Sequence, residues 1–144
     1  MISGVATVVK ALSPGCRVIG AEPALADDAA RSKAAGSIQP HDGDPTRTMA
    51  DGLRTTLGER TFPIIRDLVD EIVTVDEPAI ATGLQLVLER AKLVIEPSAA
   101  VGVAVAIDPR FRERGFRDVG LVLCGGNLDL TRLPQLLAGA GTPG

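Results

Sequence analysis

The residues best suited to chemistry stand in the turn Cys124-Gly125-Gly126-Asn127, directly after an apolar run of Val and Leu. A continuous Val/Leu run bounded by turn residues is typical of a strand buried on both faces of a parallel sheet. Ligands bind beyond the carboxyl ends of such strands, so this turn would place one thiol and an approachable backbone beside a ligand. The alternative is an ordinary strand-to-helix turn in which Cys124 is a small buried hydrophobe. The turn alone favours that alternative.

Composition limits the classes of function. The chain has 144 residues, the size of one ordinary domain. Three Phe and no Trp or Tyr leave a core of aliphatic side chains, as in α/β proteins, and little aromatic surface on which bases could stack. A net charge of −3 with scattered arginines gives no electrostatic footprint for nucleic acid. We therefore expect no nucleic-acid partner.

Cysteine usage and hydropathy indicate the compartment. Cys16 and Cys124 lack CxxC spacing, which argues against a zinc site and gives no disulfide framework. The sequence has no signal-peptide pattern and no apolar run of membrane-spanning length. We expect a cytoplasmic protein with no membrane partner.

The hydrophobic pattern predicts alternating helices and strands. We expect Asp76 at a helix N-cap and Gly83 at a point of close packing. We interpret the polar loop that holds His41, Asp42 and Asp44 as a surface loop, because it lacks the remaining ligand positions of a calcium loop. Helices are predicted over 1–12, 24–35, 61–69, 76–95, 97–107 and 130–137, and strands over 16–21, 71–75 and 119–123.

This order predicts an α/β fold of three layers, with a partial parallel sheet flanked by helices. The alternation lacks its first strand, because the chain opens on a helix that would ordinarily join two parallel strands. We therefore expect residues 1–138 to be part of a larger domain. Residues 139–144 are small or turn-forming and are expected to fray.

Several segments together resemble a known family, and they are 20–33, 48–54, 62–75, 89–104 and 121–130. They are similar to the C-terminal half of the serine racemases and, more loosely, to the serine and threonine dehydratases of the fold type II pyridoxal-phosphate family. This resemblance implies the C-terminal part of the large domain of an enzyme that is a homodimer when intact. It also implies conversion of L-serine to D-serine, or elimination from serine or threonine to give pyruvate or 2-oxobutyrate with ammonia.

The resemblance implies a cofactor site for pyridoxal phosphate. Cys124 matches the family's Ser or Cys that hydrogen-bonds the pyridine nitrogen, and Gly125 follows it. A neutral group there leaves the ring nitrogen largely unprotonated, which suits elimination and proton exchange over transamination. Glu96 matches a carboxylate of the same pocket. Its alternative interpretation is a helix-terminal residue before Pro97.

The resemblance also implies a divalent-cation site. Glu22, Ala26 and Asp28 match its two carboxylates and one backbone carbonyl, which are hard oxygen ligands for Mg²⁺ or Ca²⁺. Glu22 comes at the end of a predicted strand and Asp28 early in the next helix, so one ion with its waters could join them. The alternative is that Asp27 and Asp28 only complement the helix dipole.

The remaining matches are weaker, and parts of the family's site are missing. Lys92 and Asn127 match positions that contact ATP, although a Lys on a charged helix face and an Asn in a turn have ordinary explanations. Neither Lys10, Lys33 nor Lys92 lies in the family's Schiff-base motif, and the opposite-face serine and glycine-rich phosphate loop have no counterpart. We assign no catalytic residue and expect the isolated chain to be inactive. The alternative function is a non-catalytic truncated isoform that binds a metal or pairs with full-length subunits.

Overall fold

A computed structural model describes residues 1–141 of the chain. The last three positions of the predicted tail lie outside the described residues. No helix within the described range is long and apolar enough to cross a membrane. In chain order the helices and strands are α1 (Ile2–Leu12), β1 (Ile19–Pro23), α2 (Asp28–Ala35), α3 (Phe62–Leu68), β2 (Glu71–Val75), α4 (Glu77–Leu86), α5 (Pro97–Ile107), α6 (Pro109–Arg112) and α7 (Leu133–Leu137).

The two strands form a parallel sheet with helices on both faces. β1 and β2 pair in register from Ile19 opposite Glu71 to Pro23 opposite Val75. Alternate side chains point to opposite faces of a strand. Ile72 accordingly packs against the buried residues of α1 and α3, while its neighbour Val73 packs against the core that α4 and α5 form. The predicted three-layer α/β architecture is confirmed.

The main core lies between α4 and α5. Ile80 and Leu84 on α4 are fully buried and pack with Val101 of α5. A Cβ at Gly83 would lie 2.9 Å from the Ala100 carbonyl oxygen, so the two helices touch backbone to backbone there. The predicted close packing at Gly83 is confirmed.

α4 begins where the sequence predicts and ends earlier. Asp76 Oδ1 accepts a hydrogen bond of 3.0 Å from the Ala79 N–H, which confirms the predicted N-cap. After α4 the chain makes one wider π-helical turn, Val87–Ala91, and Lys92 then adopts a left-handed conformation with φ 59°. A left-handed residue stops the helical hydrogen-bond pattern, so the prediction of helix over 93–95 is wrong.

The predicted third strand is also wrong. Val119, Leu121 and Val122 are each about half exposed, and residues 119–123 are irregular. A strand exists only as a member of a hydrogen-bonded ladder, and no other segment of residues 1–141 pairs with this one. The run has the apolar composition of a buried segment, but within residues 1–141 nothing covers it.

The first strand and the helix after it are displaced along the sequence. The prediction placed the strand over 16–21 and the helix over 24–35, whereas β1 covers Ile19–Pro23 and α2 begins only at Asp28. Glu22 therefore lies inside the ladder, opposite Thr74, and an irregular stretch separates it from α2. The predicted helix over 130–137 is a short 3₁₀ turn followed by the five-residue α7.

Candidate functional site

Glu96 connects the start of α5 to the turn after the apolar run. Pro97 occupies the first turn of α5 and leaves Glu96 extended, with ψ 160°. Its backbone N–H donates to the Gly125 carbonyl at 3.2 Å, and its carboxylate Oε2 accepts from the Asn127 N–H at 3.0 Å. Glu96 is therefore more than a helix-terminal residue, because its side chain binds a turn far along the sequence.

Two glycines let the backbone approach this carboxylate. Gly125 has φ 115°, a region that L side chains rarely adopt, and a Cβ there would overlap Glu96 Oε1. On the other side, a Cβ at Gly52 would lie 2.9 Å from Ser98 Oγ and 3.6 Å from Glu96 Oε1. The Gly52 N–H donates to Ser98 Oγ at 3.0 Å. Three segments of the chain thus meet at Glu96, and we call this meeting point the Glu96 corner.

Cys124 adjoins the Glu96 corner through its bond to Gly125. Its side chain is exposed and free, so the interpretation of Cys124 as a buried hydrophobe is wrong. Asn127 is exposed, and it belongs to the corner through its backbone N–H. Lys92 is exposed at the end of the π-helical turn, and within residues 1–141 no hydrogen bond joins its side chain to Asn127.

Glu22 is buried at the sheet and holds the start of α2. Its Oε1 accepts from the Ala29 N–H at 3.0 Å and its Oε2 from the Ala30 N–H at 2.9 Å. Burial raises the pKa of the Glu22 carboxyl to about 7, and the charge of Asp28 adds to the effect. The two N–H groups oppose it. Glu22 therefore carries a proton over part of the neutral pH range unless a cation replaces it.

Asp28 is almost fully buried, at 2% exposure, and its carboxylate reaches a distant loop. Its Oδ2 accepts from the Leu57 N–H at 2.8 Å, and its Oδ1 lies 3.7 Å from Nδ1 of His41. Burial raises the pKa of Asp28, while the Leu57 N–H and the His41 ring oppose the rise. An acid that only complemented a helix dipole would not need these partners.

His41 is the residue that sequence reasoning missed. We interpreted its loop as a surface loop, but the side chain turns inward and is 13% exposed. Its Nε2 lies 2.9 Å from the carbonyl oxygen of Arg54. The one signal in the sequence that pointed to His41 is that it is the only histidine of the chain. No sequence spacing indicates that it lies beside Asp28.

A hard cation at the acid pair would need ligands from the backbone and water as well. Among the described residues no three His, Cys, Asp or Glu side chains converge on one point. The predicted set contains only two carboxylates, and its third ligand is the carbonyl of Ala26. Ala26 is buried and lies between Glu22 and Asp28 in the sequence. Both Glu22 oxygens and Asp28 Oδ2 already accept backbone N–H groups, and within residues 1–141 the buried His41 Nδ1 has no hydrogen-bond partner.

A separate cleft of about 330 Å³ opens at the carboxyl end of β2. No residue predicted for the cofactor, cation or nucleotide site lines it. Its lining residues are Ala24, Thr74, Val75, Asp76, Ala79, Asp108 and Arg110.

Comparison with known proteins defines the class. Residues 1–125 match the family described as pyridoxal-phosphate dependent enzyme. This match covers most of the chain, and the chain therefore belongs to the pyridoxal-phosphate dependent enzymes. Its neighbours among solved structures place its fold with the fold type II members.

The relatives of the chain include serine racemases and threonine deaminases. Serine racemase of Bos taurus is 48% identical over 135 residues, which are 92% of this chain and 40% of that protein. Maize serine racemase superimposes with a TM-score of 0.86 at 42% identity, over 95% of this chain and 42% of that one. The T.th. threonine deaminase gives a TM-score of 0.84 at 47% identity, over 90% of this chain and 46% of that one. The chain thus spans about two fifths of the length of these relatives.

Proposed function

We propose that this chain is the C-terminal portion of a pyridoxal-phosphate dependent serine racemase or serine/threonine dehydratase. The intact enzyme would convert L-serine to D-serine, or serine and threonine to pyruvate and 2-oxobutyrate with ammonia. The relatives named above support the amino-acid substrate class. A homodimer and a cytoplasmic location are part of the same proposal.

The observation that carries the proposal is the Glu96 corner. A carboxylate, two glycines whose missing side chains let backbone approach, and an exposed thiol next to one of them occur together, although they come from three separate segments. Such a surface offers polar groups that could face the edge of a planar ligand. The corner therefore fits the edge of a cofactor pocket.

The residues of the corner would bind and orient the cofactor. Pyridoxal phosphate, when bound, supplies an electron sink for the α-carbon of an amino acid. Cys124 would hold the ring nitrogen with a neutral thiol, and Glu96 would keep the turn at Gly125 in place through the Asn127 N–H. A neutral partner at the ring nitrogen moderates the sink, which favours elimination and proton exchange.

The acid pair would bind a divalent cation that organises this half of the enzyme. Glu22, the Ala26 carbonyl and Asp28 supply oxygen ligands suited to Mg²⁺ or Ca²⁺. Because Asp28 also binds the Leu57 N–H, an ion there would stabilise the loop as well as the start of α2. Binding of ATP near Lys92 and Asn127 is a further, separate part of the proposal.

The chain lacks a Schiff-base lysine motif, so it should not catalyse the reaction alone. The test is a chimera in which residues 1–141 replace the matching part of Bos taurus serine racemase. We expect the chimera to retain pyridoxal phosphate after dialysis and to act on L-serine. The 144-residue chain alone should retain no visible absorbance band.

Two variants make the chimera a sharp test. Cys124→Ser keeps a neutral partner for the ring nitrogen and should retain activity. Cys124→Asp should lower turnover by at least tenfold while the cofactor stays bound, because a carboxylate stabilises the protonated form of the ring nitrogen. A folded chimera that binds no cofactor, or one indifferent to Cys124→Asp, would contradict the proposal.

A second candidate function is a subunit-pairing or metal-binding module without catalysis. The observation in its favour is the exposed apolar run that includes Val119, Leu121 and Val122. Apolar side chains of this kind favour association. Sedimentation of the chain alone and with a full-length relative tests this candidate, and a chain that remains monomeric in both experiments excludes pairing.

A further inference from the structure

Residues 48–53 form a loop that side chains of two helices hold in place, and we call it the 48–53 loop. On one side Glu77 of α4 accepts the Met49 N–H at 2.7 Å. On the other side Ser98 of α5 accepts the Gly52 N–H at 3.0 Å through its Oγ. Backbone groups outside a helix or a strand ladder need such acceptors. Within the described chain no other hydrogen bond joins this loop to α5.

The 48–53 loop lies beside the carboxylate of Glu96. A Cβ at Gly52 would lie 3.6 Å from Glu96 Oε1, and a Cβ at Gly125 would overlap the same atom. Oε2 accepts the Asn127 N–H at 3.0 Å, whereas Oε1 accepts no hydrogen bond within the described chain. The last torsion of a Glu side chain has broad energy minima, so its neighbours set the plane of the carboxylate. Two glycine backbones therefore help to fix Oε1.

The hydroxyl of Ser98 controls the nearer approach of one of these backbones. Pro97 occupies the first position of α5 and Ser98 the second, which places Oγ beside Gly52 at the start of the helix. Gly52 is exposed, so its N–H can bind water once the hydroxyl is removed. Loss of the hydroxyl should therefore cost little stability and still release the 48–53 loop from α5.

We propose that Ser98 is a positioning residue for the Glu96 corner. By accepting the Gly52 N–H, it keeps the 48–53 loop beside Glu96 and so fixes the carboxylate that binds the turn next to Cys124. This inference rests on the proposed function, because the corner affects the reaction only where it faces the cofactor. Ser98 acts through Gly52 and Glu96 and contacts no reacting atom.

The first test is amide hydrogen exchange in the ¹⁵N-labelled 144-residue chain, without cofactor. Ser98→Ala should raise the exchange rate of the Asn127 N–H at least fivefold, because Glu96 is then free to rotate away from it. Ser98→Thr keeps a hydroxyl acceptor and should restore the slow exchange. The Asn127 N–H is informative because it binds Glu96 and not Ser98.

Ser32→Ala is the matched control. The Ser32 hydroxyl on α2 also accepts a distant backbone N–H, from Gln39 at 2.9 Å, but Ser32 is fully buried. Its loss should lower the Tm more than Ser98→Ala does and change the exchange of the Asn127 N–H less than twofold. If that exchange instead follows the loss of stability, and is faster in Ser32→Ala than in Ser98→Ala, the role of Ser98 is only structural and the inference is overturned. Unchanged exchange in Ser98→Ala overturns it as well.

The second test uses the chimera with Bos taurus serine racemase and its bound cofactor. Ser98→Ala should change the visible circular-dichroism band of the cofactor and lower kcat at least threefold, with KM for L-serine changed less than twofold. Ser98→Thr should restore both.

The outcomes separate this inference from the proposed function. If the unmodified chimera binds no cofactor, the proposed function fails, and the exchange of the Asn127 N–H still decides whether Ser98 positions Glu96. If the chimera is active and Ser98→Ala changes neither the band nor kcat, the proposed function stands and the role of Ser98 is overturned.

Discussion

The carboxylate of Glu96 fills the space that a side chain at position 125 would need. Two features therefore require a glycine at position 125. Its φ is 115°, and a Cβ there would overlap Glu96 Oε1. The same carboxylate binds the Asn127 N–H, so the glycine and the hydrogen bond fix one turn together. The Glu96 corner is thus set by backbone conformation as much as by side-chain chemistry.

Gly125→Ala should lower the free energy of unfolding by about 1 to 3 kcal/mol, because the new Cβ meets both a strained φ and the carboxylate. Urea denaturation of the chain measures the loss. Gly102→Ala in α5 is the control, since a Cβ there meets nothing within 4 Å and alanine favours a helix. If the two variants have equal stability, the close contact at position 125 does not exist. Adding Glu96→Ala to Gly125→Ala should restore only the part of the lost free energy of unfolding that is due to the contact with the carboxylate.

Sequence reasoning found the features of the fold that depend on local chemistry. Asp76 and Gly83 were predicted correctly because an N-cap and a helix contact depend on neighbours within a few residues or on side-chain size. The resemblance named Glu96 and Gly125. Their joining by the Asn127 N–H depends on how distant segments fold together, which no local pattern contains.

Two failures of prediction have the same physical origin. The run over 119–123 has the composition of a buried strand, but a strand forms only beside a partner, and the partner is not specified by the run itself. His41 lies in a polar loop that looks solvent-exposed, yet contacts with Arg54 and Asp28 bury it. In both cases the deciding interaction is with residues far away in the sequence.

Gly83→Ala should destabilise the chain, although helix propensity alone would make it favourable by up to about 1 kcal/mol. A Cβ at this position would lie 2.9 Å from the Ala100 carbonyl and 3.1 Å from the Ala104 N atom, so α4 and α5 must move apart. Thermal unfolding measures the effect. Gly4→Ala in α1, where a Cβ meets nothing within 4 Å, should be neutral or stabilising. A stabilising Gly83→Ala would mean that the helices are packed more loosely than described.

Asp70→Asn should lower the free energy of unfolding by about 1 kcal/mol near pH 7. Asp70 Oδ2 accepts hydrogen bonds from Lys10 Nζ at 2.7 Å and from the Val18 N–H at 2.6 Å. Both bonds lower the pKa of Asp70, and the bond from Lys10 has the larger effect. A lowered pKa contributes stability above the ordinary value near 3.8, and the contribution is lost as the pH falls below it. The difference between Asp70→Asn and the unmodified chain should therefore shrink in acid. Asp67→Asn, at a more exposed aspartate, should change stability less.

For Glu22 we predict the opposite dependence of stability on pH. Its pKa rises from 4.5 to about 7 on folding, chiefly by burial, so the folded chain holds a proton that the unfolded chain releases between these values. The free energy of unfolding should therefore fall as the pH rises from about 4.5 to 7, by on the order of 3 kcal/mol at most. Glu22→Gln, which resembles the protonated acid, should lose this part of the pH dependence, whereas the exposed Glu59→Gln should keep it.

A divalent cation should reverse the trend that Glu22 produces. An ion bound by Glu22 and Asp28 favours the ionised carboxylates, so metal affinity should rise with pH through about 7 and binding should release protons to the buffer. Calorimetry in buffers of different ionisation enthalpy counts those protons. With metal saturating, unfolding monitored from pH 4.5 to 7 should show stability that rises with pH. A fall that persists unchanged at saturating metal would show that the ion does not bind at Glu22, because the buried acid would then still hold its proton.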